Sequence, residues 1–202
     1  MHPSTFYIMK TIIFDIDGTL TNMWPIEKSV LLSMTNGKYK NEIEKLKKSG
    51  ISETYKIFLK VFENKVSKKR YIDFYNKSFS IILKNSNLPR PEKYPLVKWI
   101  FTNRNKYRFI YATGGQRLET LYVLKSFGLL KYFNLEYSID KTTCRFSKKT
   151  GIPFRKIKSR FKNCVLISDS RSDCEGASLA QIPFVIVTPK QSCGLLSKIS
   201  AL

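Results

Sequence analysis

Three short apolar runs in this chain end in residues able to do chemistry. Thr11-Ile12-Ile13-Phe14 leads into Asp15-Ile16-Asp17-Gly18-Thr19. Arg108-Phe109-Ile110-Tyr111-Ala112 leads into Thr113-Gly114-Gly115. Cys164-Val165-Leu166-Ile167 leads into Ser168-Asp169, with Asp173 four residues on, and a lysine pair, Lys148 and Lys149, precedes it. Two aspartates at the end of a buried strand are costly without a cation. A threonine hydroxyl and glycine amides opening a helix suit an anion. A lysine would neutralise charge that builds up between the two.

These residues need a scaffold that gathers strand ends. The runs at 11–15, 108–113, 164–169 and 184–188 show no alternation, as in strands buried on both faces, and a weaker run lies at 135–139. Helical patterns at Leu118–Phe127, Pro153–Phe161 and Asp173–Gln181 fall between them. Strand–helix alternation predicts a parallel sheet covered by helices, with the site at the carboxyl ends of the strands. Residues 22–90 differ. Glu27–Met34, Tyr39–Lys48, Ser52–Glu63 and Lys68–Lys84 carry apolar residues at three- and four-residue spacing, broken at Asn36-Gly37, Ser49-Gly50 and Asn64. They predict an all-helical insertion after the first strand, bounded near Pro25 and Leu88-Pro89-Arg90-Pro91. The aromatics Tyr55, Phe58, Phe62, Tyr71, Phe74, Tyr75 and Phe79 read as helix core. Residues 92–106 predict a helix returning to the sheet.

The four stations occur in register: Asp15–Thr19, Thr113, Lys149 or Lys148, and Asp169 with Asp173. In this order the chain resembles the haloacid dehalogenase (HAD) superfamily over nearly its whole length. The resemblance implies a Rossmann-like core of five parallel strands in spatial order 3-2-1-4-5, residues 1–21 and 91–202. It implies that residues 22–90 form a helical C1 cap, as in the phosphoglycolate phosphatase-like and phosphoglucomutase-like branch. The stretch from Thr113 to Asp169 is too short for the other large cap type. Ser168 departs from the glycine usual before the fourth-motif aspartate, and Thr150 from the proline usual after the motif lysine.

The resemblance also implies roles. Asp15 would be the nucleophile forming an aspartyl-phosphate. Asp17 would protonate the leaving oxygen and then activate water. True dehalogenases lack an acid at that position, so Asp17 favours phosphate chemistry. Mg²⁺ would be held by Asp15, Asp169 and the backbone carbonyl of Asp17. Thr113, Gly114 and Lys149 or Lys148 would hold the phosphate, with Asp173 behind them. The expected activity is magnesium-dependent hydrolysis of a small phosphorylated metabolite. The alternatives are a phosphomutase or phosphotransferase, and a basic nucleic-acid-associated phosphatase or binding protein.

Composition bounds the rest. The 202 residues suit one domain plus an insertion, and a 43% hydrophobic content excludes wholesale disorder. The net charge of +21 is spread along the chain rather than collected in a tail. A generally basic surface is therefore the favoured reading, and nucleic acid a partner allowed but not favoured. Cys144, Cys164, Cys174 and Cys193 form no CxxC pair and His2 is the single histidine, which argues against zinc and a disulfide framework. Reduced thiols, no apolar run of membrane-spanning length and no signal-like start predict a cytoplasmic protein, monomer or homodimer, with residues 1–8 as a short extension.

Overall fold

The computed structural model describes residues 9–51, 53–62 and 66–188. His2, Asn64, Cys193 and the extension at 1–8 lie outside the described residues. The chain divides into two compact units, Met1–Asn22 with Glu92–Leu202, and Met23–Pro91.

The first unit is an α/β sheet unit. Four strands, β1 (Thr11–Phe14), β2 (Arg108–Tyr111), β3 (Cys164–Ser168) and β4 (Phe184–Ile186), pair in parallel in the order β2-β1-β3-β4. The register sets Phe14 opposite Tyr111 on one side and Ile167 on the other, so the three chemical segments begin at the same height. Every residue of β1 and β3 is buried, which is why both strands lack alternation. Ile13, Ile110, Leu166, Phe154, Ile157 and Ala177 build one hydrophobic layer. Phe14 packs its ring against Phe109 and Phe133, 5.8 and 6.0 Å away. β4 is the edge, and there Phe184 and Ile186 are exposed.

The fifth strand expected near 135–139 is reduced to two isolated bridges, Phe109 with Phe133 and Ala112 with Ile139. The reason is length. Between these bridges the outer segment runs from 133 to 139 while β2 advances only from 109 to 112. The surplus residues bend outward at 135–137, as in an extended bulge. The Ser138 hydroxyl oxygen accepts the Tyr111 N–H at 3.1 Å, standing in for a backbone carbonyl.

Helices α5 (Pro95–Asn103), α6 (Arg117–Ser126), α7 (Ile152–Arg160) and α8 (Arg171–Leu179) complete this unit, with a 3₁₀ turn at Lys148–Thr150. The second unit holds four helices, α1 (Trp24–Met34), α2 (Lys40–Lys48), α3 (Thr54–Phe62) and α4 (Lys68–Lys84). Pro25 lies in the first turn of α1, where a missing N–H costs nothing. Ser67 caps α4 by accepting from the Arg70 N–H. Tyr71, Tyr75, Phe79 and Phe58 are buried as read from the sequence, whereas Phe74 is exposed.

Candidate active site

Asp15 directly follows β1, and its N–H donates to the Ile167 carbonyl at 3.0 Å, which continues the ladder one residue beyond the strand. Its side chain is almost fully buried. Asp17 stands on the tight turn beyond and is exposed to solvent. Gly18 closes that turn with φ +74°, its N–H donating to the Thr21 carbonyl at 2.8 Å. A Cβ at Gly18 would overlap the Asp169 carboxylate. Glycine is therefore needed twice, for the left-handed backbone and for the approach of Asp169.

Asp169 leaves β3 beside Asp15. The Thr19 hydroxyl donates to Asp169 Oδ1 at 3.1 Å and accepts the Asp169 N–H at 3.1 Å. Thr19 thus orients the carboxylate, a role that the sequence reading left unassigned. Burial raises the Asp169 pKa, and the charges of Asp15 and Asp17 raise it further. Three carboxylates share this corner.

The cation paired with Asp15 is Lys148. Its Nζ lies 2.8 Å from Asp15 Oδ1, is paired with Asp173, and donates to the Ala112 carbonyl at 3.2 Å. Burial alone would lower the Lys148 pKa, but Asp15 and Asp173 outweigh it and the net shift is upward. Lys149 is excluded from the cluster. It points to solvent, two-thirds exposed, 3.4 Å from Glu175. Of the two lysines left open by sequence, Lys148 therefore occupies the site, and the placement of Lys149 there is corrected. The cause is packing: Gly176 of α8 lies so close to the Lys148 carbonyl that a Cβ would overlap it. That contact fixes the 3₁₀ turn with Lys148 inward, and its neighbour necessarily turns out.

Asp173 is buried in the first turn of α8. Burial pushes its carboxyl up to about 6, with Asp15 adding to the effect and Lys148 and Ser168 opposing it. Ser168, the departure from glycine, has a defined job. Its hydroxyl donates to Asp173 Oδ2 at 2.9 Å and accepts the Ser170 N–H at 3.1 Å.

Thr113 is buried at the end of β2, and its hydroxyl oxygen accepts the Gly115 N–H at 3.0 Å. That leaves the hydroxyl proton able to donate elsewhere. The expectation that both glycine amides face an anion is corrected, because Gly115 is already engaged, and the next amide, Gln116, donates to Glu119 Oε2 at 3.2 Å. A Cβ at Gly114 would meet nothing within 4 Å, so that side of the loop is open.

The sequence reading missed a further buried carboxylate. Asp140 follows the outer segment and accepts from the Tyr111 hydroxyl at 3.0 Å, the Thr142 N–H at 2.8 Å and Arg117 at 3.4 Å. It ties the loop after the edge to β2 and α6. The signal was present as Asp140-Lys141-Thr142-Thr143, an aspartate followed by threonines in a local side-chain turn.

The donors suit Mg²⁺, which takes one or two carboxylates and keeps waters. Among the described residues no three acidic, histidine or cysteine side chains cluster for a metal. The neighbouring carboxylates of Asp15 and Asp169 are the donors that the site offers such an ion.

A family model for haloacid dehalogenase-like hydrolases matches residues 9–181, so the chain belongs to the haloacid dehalogenase-like hydrolases. No curated protein sequence matches it. Solved structures share the fold. A HAD hydrolase of family IA, variant 3, from Entamoeba histolytica has a TM-score of 0.65 at 14% identity, over 94% of this chain and 89% of that one. A Haemophilus somnus protein assigned as a phosphoglycolate phosphatase has a TM-score of 0.64 at 18% identity, over 94% and 89%. A Thermotoga maritima protein assigned as a β-phosphoglucomutase has a TM-score of 0.61 at 20% identity, over 94% and 91%.

Proposed function

We propose that this hydrolase is a magnesium-dependent phosphatase of small phosphorylated metabolites, acting through an aspartyl-phosphate on Asp15. The observation that supports it most is the buried pairing of Lys148 with Asp15 at 2.8 Å, beside Asp169. A carboxylate at a strand end, paired with an ammonium group and set beside a second carboxylate, suits a nucleophile better than a purely structural ion.

Asp15 attacks phosphorus as the bond to the leaving oxygen breaks. Exposed Asp17 gives its proton to that oxygen, then takes one from the water that hydrolyses the acyl phosphate. Thr113 donates its hydroxyl proton to a phosphate oxygen. Lys148, steadied by Asp173 and Ser168, offsets charge on both Asp15 and the phosphoryl group. A bound Mg²⁺ would supply the charge that lets a phosphate dianion approach a carboxylate. Asp15, Asp169 and the carbonyl of Asp17 would hold it. Burial, and after it the charges of Asp15 and Asp17, raise the Asp169 pKa, and a bound cation would oppose that shift.

The test is release of inorganic phosphate from a panel of phosphorylated metabolites, with and without Mg²⁺. Turnover should require the ion and vanish in Asp15→Asn, by on the order of 10³-fold or more. Undiminished turnover by Asp15→Asn would overturn the nucleophile assignment. Transfer to an organic acceptor with no phosphate released would make the protein a mutase or transferase.

A further inference from the structure

The charge of +21 is not evenly matched by acids along the chain. Residues 141–168 hold nine lysines and arginines and no aspartate or glutamate. In the helical unit, by contrast, Glu42 and Glu44 interleave with the lysines of α2, and Asp73 follows Lys68, Lys69 and Arg70. The acid-free stretch contains Lys148, whose charge the active site consumes, and then α7.

α7 sorts its residues cleanly. Phe154 and Ile157 are buried in the hydrophobic layer against Leu166 and Ala177. Arg155, Lys156, Ser159 and Arg160 are exposed, and Lys162 extends the same stretch. Positions 155, 156, 159 and 160 share one face by helical period. Arg155 donates to the Thr150 carbonyl at 3.3 Å. Lys156, Arg160 and Lys162 have no carboxylate partner among the described residues. The loop entering this region adds an exposed aromatic, Phe146, with the Arg145 guanidinium 5.7 Å from its ring centroid.

We propose that the outer face of α7 binds the phosphate backbone of single-stranded nucleic acid. An uncompensated row of cations attracts a polyanion by releasing its counterions. Arginine and lysine beside an exposed aromatic suit a flexible strand whose bases can stack. An anionic membrane fits less well. A helix that lies in a bilayer surface must offer it an apolar face, and the apolar side of α7 is spent on the sheet. Lys156, Arg160 and Lys162 are not among the catalytic side chains, so the proposal does not rest on the phosphatase reading.

The experiment is fluorescence anisotropy of a labelled single-stranded oligouridylate with the full chain, over a range of salt. Two triple variants of equal net charge are compared. Lys156→Glu/Arg160→Glu/Lys162→Glu removes the face, whereas Lys40→Glu/Lys60→Glu/Lys84→Glu reverses exposed lysines on α2, α3 and α4. The first should weaken binding by about tenfold or more and flatten the log–log salt slope by about 2, as expected for three lost contacts to a single strand. The second should leave affinity within about twofold. Neither should alter phosphate release if the catalytic reading holds, and thermal melts check that both fold. Equal weakening by the two variants would show a net-charge effect and overturn the proposal. So would absence of RNA binding, or binding to phosphatidylserine vesicles alone. Tighter binding to a duplex of the same length would overturn the single-strand assignment.

Discussion

The two units of this molecule place their charges in different ways. In the sheet unit the ions that matter are buried: Asp15, Lys148 and Asp173 sit together out of solvent. Burying such a group is tolerable only when it is paired, and breaking the pair is costly. In the helical unit the ion pairs reach solvent, Lys28 with Glu44 about a third exposed and Lys56 with Glu53 half or more, and there they contribute little. Its centre is built instead from rings, with Phe58 and Tyr71 5.2 Å apart and Tyr71 and Tyr75 5.6 Å apart. One unit spends packing to hold charges at a fixed place. The other spends aromatic area simply to fold. An open groove of about 680 Å³ between α3 and α4 is lined by Phe58, Phe62, Phe74, Arg70 and Asp73.

Variants can break this contrast or sharpen it. Phe79→Ala removes a fully buried ring from the helical unit. It should cost about 3–5 kcal/mol in chemical denaturation. A much smaller loss would mean that this core is loosely packed. Lys148→Ala should lower turnover by about 10²–10³-fold, whereas Lys149→Ala should leave it within about twofold. Equal effects in the kinetic assay would return the choice of lysine to an open question. Gly176→Ala should destabilise by about 1–3 kcal/mol, since the new methyl collides with the Lys148 carbonyl. It should also lower turnover by displacing that turn. A variant as stable and active as the parent would remove the packing account of why Lys148 faces inward.

The smallest effect is a pH dependence. Burial raises the Asp173 carboxyl to about 6, above the ordinary carboxylate value. A raised acid takes up a proton on folding. Its favourable contribution is complete below the unfolded value near 4 and is lost as pH rises through about 6. Asp173→Asn lacks this term. The stability of the parent relative to Asp173→Asn should therefore improve by about 1–2 kcal/mol between pH 8 and pH 5. Melting curves at the two pH values measure it, and a parent-minus-variant difference that stays constant or falls toward acid would contradict the assigned environment of Asp173.

Much of the site could be read in advance because its residues sit at fixed offsets from buried strands. A strand that enters a parallel sheet must end at the sheet's carboxyl edge, so Asp15, Thr113 and Asp169 had to be neighbours once three apolar runs were recognised. What the reading overestimated was regularity. The segment at 133–139 has the apolar residues of a strand, yet too many of them for the advance of β2 opposite. Sequence pattern reports which residues prefer burial and does not count residues against a partner. Thr19 and Ser168 escaped assignment for a related reason. Their hydroxyls bond to carboxylates supplied by other segments or by the next turn of chain.

By itself, then, the sequence determined the strand-and-helix order, the separate character of residues 22–90 and the set of acids around Asp15. These follow from local periodicity and from the cost of burying charge. Only the tertiary structure decided between Lys148 and Lys149. Adjacent residues of like chemistry carry no local signal to separate them. A close approach by Gly176, from a helix more than twenty residues away, sets which of the two ammonium groups turns toward Asp15.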